Sequence, residues 1–268
     1  MSDSERSLFM PKTKTPGLCS VVCTTYNHAA YSAIALQSIF DQVYRNIEIV
    51  VIDDGSTDGN VDALKGKLVA CPFPHQLITQ SNSGKVGLNF NRALDAATGE
   101  YVCLLSLDDV LLPDCISAKM PILLADKHMT FVANTSNIEI GSDGAVINEM
   151  FVHPVHGKNC NTASQLLEHE YEHIGSFYVQ GIVFRTDIIE AVGGFDPNMI
   201  GDDLILRTRI FRHMVRHPDL TFALLPSPGF LYRKHDQNLH RNNKTERPRA
   251  DVTEVVGIKT AAKPGKKT

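Results

Sequence analysis

Residues 99–113 read GEYVCLLSLDDVLLP, and the reading of this stretch decides the fold class. Tyr101 to Leu105 is an apolar run rich in β-formers, bounded by Gly99-Glu100 before it and by charge after it. A short run with no polar alternation predicts a strand covered on both faces, as in a mostly parallel sheet flanked by helices. The run then breaks into Ser106-Leu107-Asp108-Asp109. Adjacent carboxylates at the carboxyl end of a buried strand are costly unless a cation neutralises them. That edge of an open α/β sheet is also where ligands bind. A divalent metal carrying a phosphate group satisfies both conditions. The alternative that needs no ligand is a surface turn, with Asp109 capping a helix that starts near Pro113.

Upstream, the same pattern repeats. Leu18–Thr24 (LCSVVCT), Ile47–Ile52 (IEIVVI) and His75–Thr79 read as strands. Between them, Tyr31, Ile34, Ala35, Ser38 and Ile39 recur at helical spacing. Val61, Leu64, Leu68 and Val69 do so after a cap at Thr57 or Asp58, and Val86, Phe90, Ala93, Leu94 and Ala97 mark a third helix. Strand–helix alternation predicts a parallel sheet with right-handed crossovers, which gathers every carboxyl-end loop on one edge. The loop after the first strand is Thr25-Tyr26-Asn27-His28 rather than G-x-G-x-x-G, which argues against a nicotinamide or flavin domain. Ser83-Gly84-Lys85 lacks the upstream glycine and the following Ser/Thr of a phosphate loop.

Downstream the expected elements are a helix after Pro113, a strand at Thr130–Asn134, and a turn at Ser142–Gly144 with short strands either side. A strand at Val179–Phe184, a short helix ending at Gly193-Gly194, a helix from Asp202 to about His217 and a strand at Phe222–Leu225 follow.

A chain of 268 residues suits one sizeable domain. The net charge of −4 conceals a polar, basic end after Arg233. That end lacks the aromatic interleaving of a nucleic-acid surface, so no nucleic-acid partner is expected. No segment has the apolar length to cross a bilayer, and the polar opening MSDSERSLFMPKTKTPG has no signal-peptide core. The six cysteines (19, 23, 71, 103, 115, 160) form no C-x-x-C pair. A reduced, cytoplasmic protein is the expectation; the basic tail reads first as a solvated end, with peripheral contact at the inner face of the membrane as the alternative.

Four blocks in order carry a family resemblance: SVVCTTYN, IEIVVIDDGSTD, GEYVCLLSLDDVLLPD, and VGGFDPN followed by GDDLILRTRIF, with LYRKHDQN after them. Together they make the chain, from about Cys19 to Asn238, resemble the family-2 type of glycosyltransferase. The resemblance implies an α/β GT-A (Rossmann-like) three-layer sandwich with a mixed, mostly parallel sheet. It implies a domain over 17–240 (nucleotide-binding half 17–112, acceptor half 113–240), between a flexible segment 1–16 and a basic, disordered tail 241–268. The implied activity is inverting transfer of a sugar from a nucleotide donor, a UDP-sugar, to a hydroxyl of a saccharide or lipid-linked acceptor, by a monomer or a homodimer.

The same resemblance assigns Thr24, Tyr26, Asp53, Asp54, Asp108 and Arg233 to nucleotide binding. It assigns Asp109 and His235 to Mg²⁺ or Mn²⁺, and the base to the pair Asp202-Asp203, with Asp203 in the usual place of the base. A Tyr ring can stack on a base and a carboxylate can accept a ring N–H. Ser106 stands where the family's aspartate motif usually carries a further acid. The thinned ligand set suits an ion that keeps substrate phosphates and waters around it.

Two rival readings remain. His169-Glu170-Tyr171-Glu172-His173 matches H-E-x-x-H, which on a helix puts two imidazoles on one face for zinc with Glu170 as base. No third ligand follows at a metalloprotease spacing. A non-catalytic nucleotide-sugar-binding protein would keep the fold, yet has no use for an acid pair at 202–203.

Overall fold

The protein is described by a computed structural model in which residues 13–173, 175–198, 202–236 and 238 are placed. Two units separate, 1–234 and 235–268. Residues 1–12 and 239–268, which include all of the expected basic tail, lie outside the described residues.

The first unit runs β1 (Thr15–Thr25), α1 (Ser32–Phe40), β2 (Ile47–Asp53), α2 (Asn60–Leu68), β3 (His75–Thr79), α3 (Val86–Ala96) and β4 (Gly99–Ser106). It continues with β5 (Val110–Leu111), α4 (Met120–Ala125), β6 (Met129–Ile140), β7 (Val146–Val152), α5 (Ala163–Glu172), β8 (Val183–Arg185), α6 (Thr186–Ala191), α7 (Asp202–Arg216) and β9 (Thr221–Arg233). Among the described residues nine strands form one sheet, in the order β3-β2-β1-β4-β8-β6-β9-β5, with β7 on β6. β1 pairs in parallel with β2 and β4, and β2 with β3. β8 enters antiparallel between β4 and β6, while β9 returns parallel to β6.

β4 is covered on both faces. Tyr101, Cys103 and Leu105 join a core cluster with Leu36 and Ile39 of α1, Leu64 of α2 and Leu123 of α4. Val102 and Leu104 join the opposite cluster with Phe90 of α3, Leu166 of α5, Ile189 of α6 and Phe211 of α7. Period-two alternation thus feeds two helix layers from one strand. Each fully buried apolar side chain contributes roughly 1.5–3 kcal/mol. At the amino edge, the buried Glu48 accepts from the Ser20 hydroxyl at 2.5 Å, the Thr98 N–H at 2.6 Å and the Gly99 N–H at 3.1 Å. A Cβ on Gly99 would lie 2.5 Å from Ser20 Oγ and 2.6 Å from the Leu18 carbonyl oxygen, so the β1–β4 approach requires glycine there.

Several expectations are corrected. β1 begins at Thr15, inside the segment read as flexible. α2 is N-capped by Gly59 in a left-handed conformation rather than by Thr57 or Asp58, and Val69 is exposed. Pro113 does not open a helix: α4 starts at Met120, and Asp109 caps nothing. The strand expected at Val179–Phe184 is confined to β8. β6 and β9 are longer than the runs 130–134 and 222–225, because each pairs with the other along most of its length. Among the described residues no helix is long and apolar enough to cross a membrane.

Candidate active site

Parallel pairing sets the site. Thr24 lies opposite Ile52 on β2 and Ser106 on β4, and Thr25 opposite Asp53, so the loops after β1, β2 and β4 leave the sheet side by side. The first two brace each other. The Asn27 N–H donates to Ser56 Oγ at 2.8 Å, the Thr57 N–H to Asn27 Oδ1 at 2.9 Å and the Ala29 N–H to Asp58 Oδ2 at 2.9 Å. Thr24 is buried, while Tyr26 is 44% exposed and presents its ring to solvent. An open cavity of about 490 Å³ lies beside the second loop, lined by Asp53, Gly55, Ser56, Thr79 and Gln80 among others.

Both acids of this loop are hydrogen-bonded to protein groups, in different ways. Asp53 is buried; its Oδ1 accepts from the Gly55 and Ser56 N–H groups at 3.1 and 2.9 Å, and its Oδ2 from Asn60 Nδ2 at 2.8 Å. It builds the loop. Asp54 reaches across to the β3–α3 segment. Its Oδ1 accepts from Gln80 Nε2 at 2.6 Å and the Ser83 N–H at 2.8 Å, its Oδ2 from Ser83 Oγ at 3.1 Å and the Gly84 N–H at 3.2 Å. Burial works to raise this carboxyl, but the hydrogen bonds from Ser83 and Gln80 outweigh it and hold Asp54 below the usual carboxylate range. A base ring N–H would have to replace one of these four donors.

After β4 the two neighbouring acids part. Asp109 is buried, and its Oδ1 accepts the Arg233 N–H of β9 at 2.8 Å. Burial first, then the charge of Asp108, pushes its carboxyl well above the ordinary range. It is a tie between β5 and β9. Asp108 is the more exposed of the two, and one of its carboxylate oxygens and a ring nitrogen of His28 lie within 4.8 Å of each other. This oxygen–nitrogen pair fits a hard divalent cation that completes its shell with phosphates and waters.

Arg233 is engaged with protein groups on the same edge. Its Nε donates to the Asp108 carbonyl at 2.9 Å, its Nη1 to the Gly141 carbonyl at 3.2 Å, and the guanidinium lies 4.8 Å from the Tyr31 ring centroid. That group clamps the β4–β5 loop to the β6–β7 turn. His235 opens the second unit, where its N–H donates to Asn238 Oδ1 at 2.6 Å.

Asp202 and Asp203 form the first residues of α7. Asp203 is 32% exposed at its side chain, and Arg207 Nη1 donates to its Oδ2 at 3.1 Å. The H-E-x-x-H segment lies on α5, packed against α7. His169 spends both ring nitrogens on protein, 2.9 Å from Ser176 Oγ and 3.1 Å from the Pro154 carbonyl oxygen, and Glu170 is paired with Arg207. That disposes of the zinc-hydrolase reading, since neither the ligand nor the base is available. Tyr178 stacks on Tyr232 with ring centroids 5.2 Å apart and meets His153 edge-on at 4.6 Å. Burial, and after it the negative charges of Glu139, Asp109 and Asp203, push its phenol up to about 12.

Sequence reasoning passed over His28 and Arg207 as site residues, and read Glu170 only as the base of the rival H-E-x-x-H motif. His28 had a signal, being the imidazole in a polar loop at a strand's carboxyl end. The α5–α7 ion pair had none, because nothing local links position 170 to position 207.

The comparisons with known proteins agree with this architecture. The sequence profile of glycosyl transferase family 2 matches residues 20–189. An uncharacterized glycosyltransferase of Nostoc sp. is 26% identical over 253 residues, 89% of this chain and 71% of that protein. Chondroitin synthase of Escherichia coli is 27% identical over 152 residues, 57% of this chain and 22% of that protein. Among solved structures, S. aureus TarS in complex with UDP-GlcNAc superposes with a TM-score of 0.67 at 18% identity, over 89% of this chain and 64% of that one. The mannosyltransferase PcManGT from Pyrobaculum calidifontis, in complex with GDP-Man and Mn2+, gives 0.59 at 21% identity, over 87% and 61%. The chain therefore spans less than two thirds of most of these proteins. With a mixed sheet between two helix layers, the GT-A arrangement of those neighbours, and the family profile covering more than half of its length, the chain belongs to glycosyl transferase family 2.

Proposed function

We infer that the protein transfers a sugar from a nucleotide-diphosphate donor, a UDP-sugar, to a hydroxyl of a saccharide or lipid-linked saccharide, with inversion at the anomeric carbon. The observation that carries this reading is the common edge on which Tyr26, the Asp53–Asp58 loop and Asp108 emerge from β1, β2 and β4. Tyr26 offers a face for the base, and the cavity beside Gly55 and Gln80 receives the nucleoside. The UDP-GlcNAc bound by TarS favours a uridine donor, and the GDP-Man and Mn2+ of PcManGT favour a divalent ion. Asp108 and His28 would hold Mg²⁺ or Mn²⁺, which offsets charge on the departing diphosphate.

Asp203 acts as general base. Its carboxylate takes the proton of the acceptor hydroxyl as that oxygen bonds to the anomeric carbon. The bond from that carbon to the diphosphate oxygen breaks, and its electron pair leaves with the nucleoside diphosphate.

The test is a panel of nucleotide sugars and saccharide acceptors, read by nucleotide release. Acceptor-dependent release from a UDP-sugar is expected, falling by roughly 10²–10⁴-fold in Asp203→Asn while UDP still binds. Wild-type turnover in Asp203→Asn removes that residue from the mechanism. Absence of release from every nucleotide sugar overturns the assignment.

A further inference from the structure

The Glu170 of the H-E-x-x-H segment is 1% exposed, as is Arg207 on the facing helix. Arg207 presents Nη2 at 2.9 Å and Nε at 3.4 Å to the two oxygens of Glu170, so the plane of its guanidinium is set from α5. Glu170 Oε1 is held in turn by the Gly175 N–H at 3.0 Å, and the Phe177 ring centroid lies 5.6 Å from the guanidinium carbon. With the fork committed, Nη1 has one direction left, and it meets Asp203 Oδ2 one helical turn earlier on α7.

Stability does not explain this arrangement. A buried Arg–Glu pair is weak evidence for stabilisation, because two well-packed apolar side chains of similar volume commonly serve as well. An ordinary i,i+4 Asp–Arg pair at a surface leaves both side chains mobile and contributes little. What the triad does, and an apolar pair cannot, is hand a fixed, buried cation to a partly exposed carboxylate.

We propose that Arg207, oriented by Glu170, is the positioning residue for Asp203: it sets the rotamer of that carboxylate and keeps it ionised as it meets the acceptor hydroxyl. This rests on Asp203 being the base. The other groups that share its field are His153 at the end of β7, whose charged form Arg207 opposes, and Tyr178 ahead of β8.

The test uses the full chain with Glu170→Met and Arg207→Met together, which keeps the α5–α7 contact filled. A folded protein is expected, with UDP affinity unchanged. The kcat for nucleotide release should fall about 10- to 100-fold with KM nearly constant, the signature of a misoriented reacting group. The Asp203 carboxyl, followed by ¹³C NMR, should titrate about one pH unit or more higher without its cation. Arg207→Lys should restore part of kcat. If the double variant does not fold, the isosteric Glu170→Gln takes its place, with lowered kcat at constant KM expected. Wild-type kcat together with an unmoved Asp203 titration, in whichever of the two folds, overturns the proposal. An inactive Asp203→Asn beside an active double variant defeats only the positioning role. An active Asp203→Asn defeats both.

Discussion

Asp108 and Asp109 are chemically identical neighbours, yet the backbone turns one toward His28 and seals the other under β9. His153 shows the same dependence of chemistry on surroundings. It is buried, packed edge-on to Tyr178 with ring centroids 4.6 Å apart, and its Nε2 has no hydrogen-bond partner among the described residues. Burial first, then the charges of Arg207 and His156, lowers its pKa from 6.5 to about 4. In that window the unfolded chain binds a proton that the folded chain refuses, so stability is complete above about pH 6.5 and declines as pH falls toward 4. His153→Phe keeps a ring against Tyr178 and removes the linkage. Urea unfolding should show the loss of stability between these limits shrinking by up to about 3 kcal/mol.

At the scale of elements, the site depends on how two strand-end loops are joined. Asn60, the first residue of α2, is fully buried. Its Nδ2 donates to Asp53 Oδ2 at 2.8 Å and Thr25 Oγ1 at 3.0 Å, and its Oδ1 accepts the Ser32 hydroxyl. One amide therefore ties the ends of β1 and β2 to the starts of α1 and α2. Asn60→Ala takes the donor from Asp53 Oδ2 and Thr25 Oγ1, while the Ser32 hydroxyl keeps the His28 carbonyl, an expected loss of about 2–6 kcal/mol at roughly 1–3 kcal/mol per unsatisfied group. Chemical denaturation measures the loss, and UDP affinity should fall with it because the loops beneath Tyr26 loosen. Gly55 belongs to the same junction: its φ is +78°, and a Cβ there would lie 2.6 Å from the Asn82 backbone nitrogen.

On the scale of the whole molecule, a ligand that bridges the loops of β1, β2 and β4 should stabilise the sheet edge that carries them. UDP at about 100 times its dissociation constant should add about 2.7 kcal/mol, a rise in Tm of roughly 5–10 °C, enlarged by Mn²⁺ and absent with NAD. No shift with UDP at any concentration would contradict the donor site. The sequence alone determined the strand–helix alternation, the two-faced burial of β4 and the order of the carboxyl-edge loops. Periodicity and strand length are local properties, and parallel crossovers place the loops without further information. Tertiary structure decided what each side chain in those loops does. Arg233 meets Asp108 across 125 residues and Arg207 meets Glu170 across 37. Whether an acid faces a ligand or a buried guanidinium depends on which distant element packs against it, and no spacing along the chain encodes that.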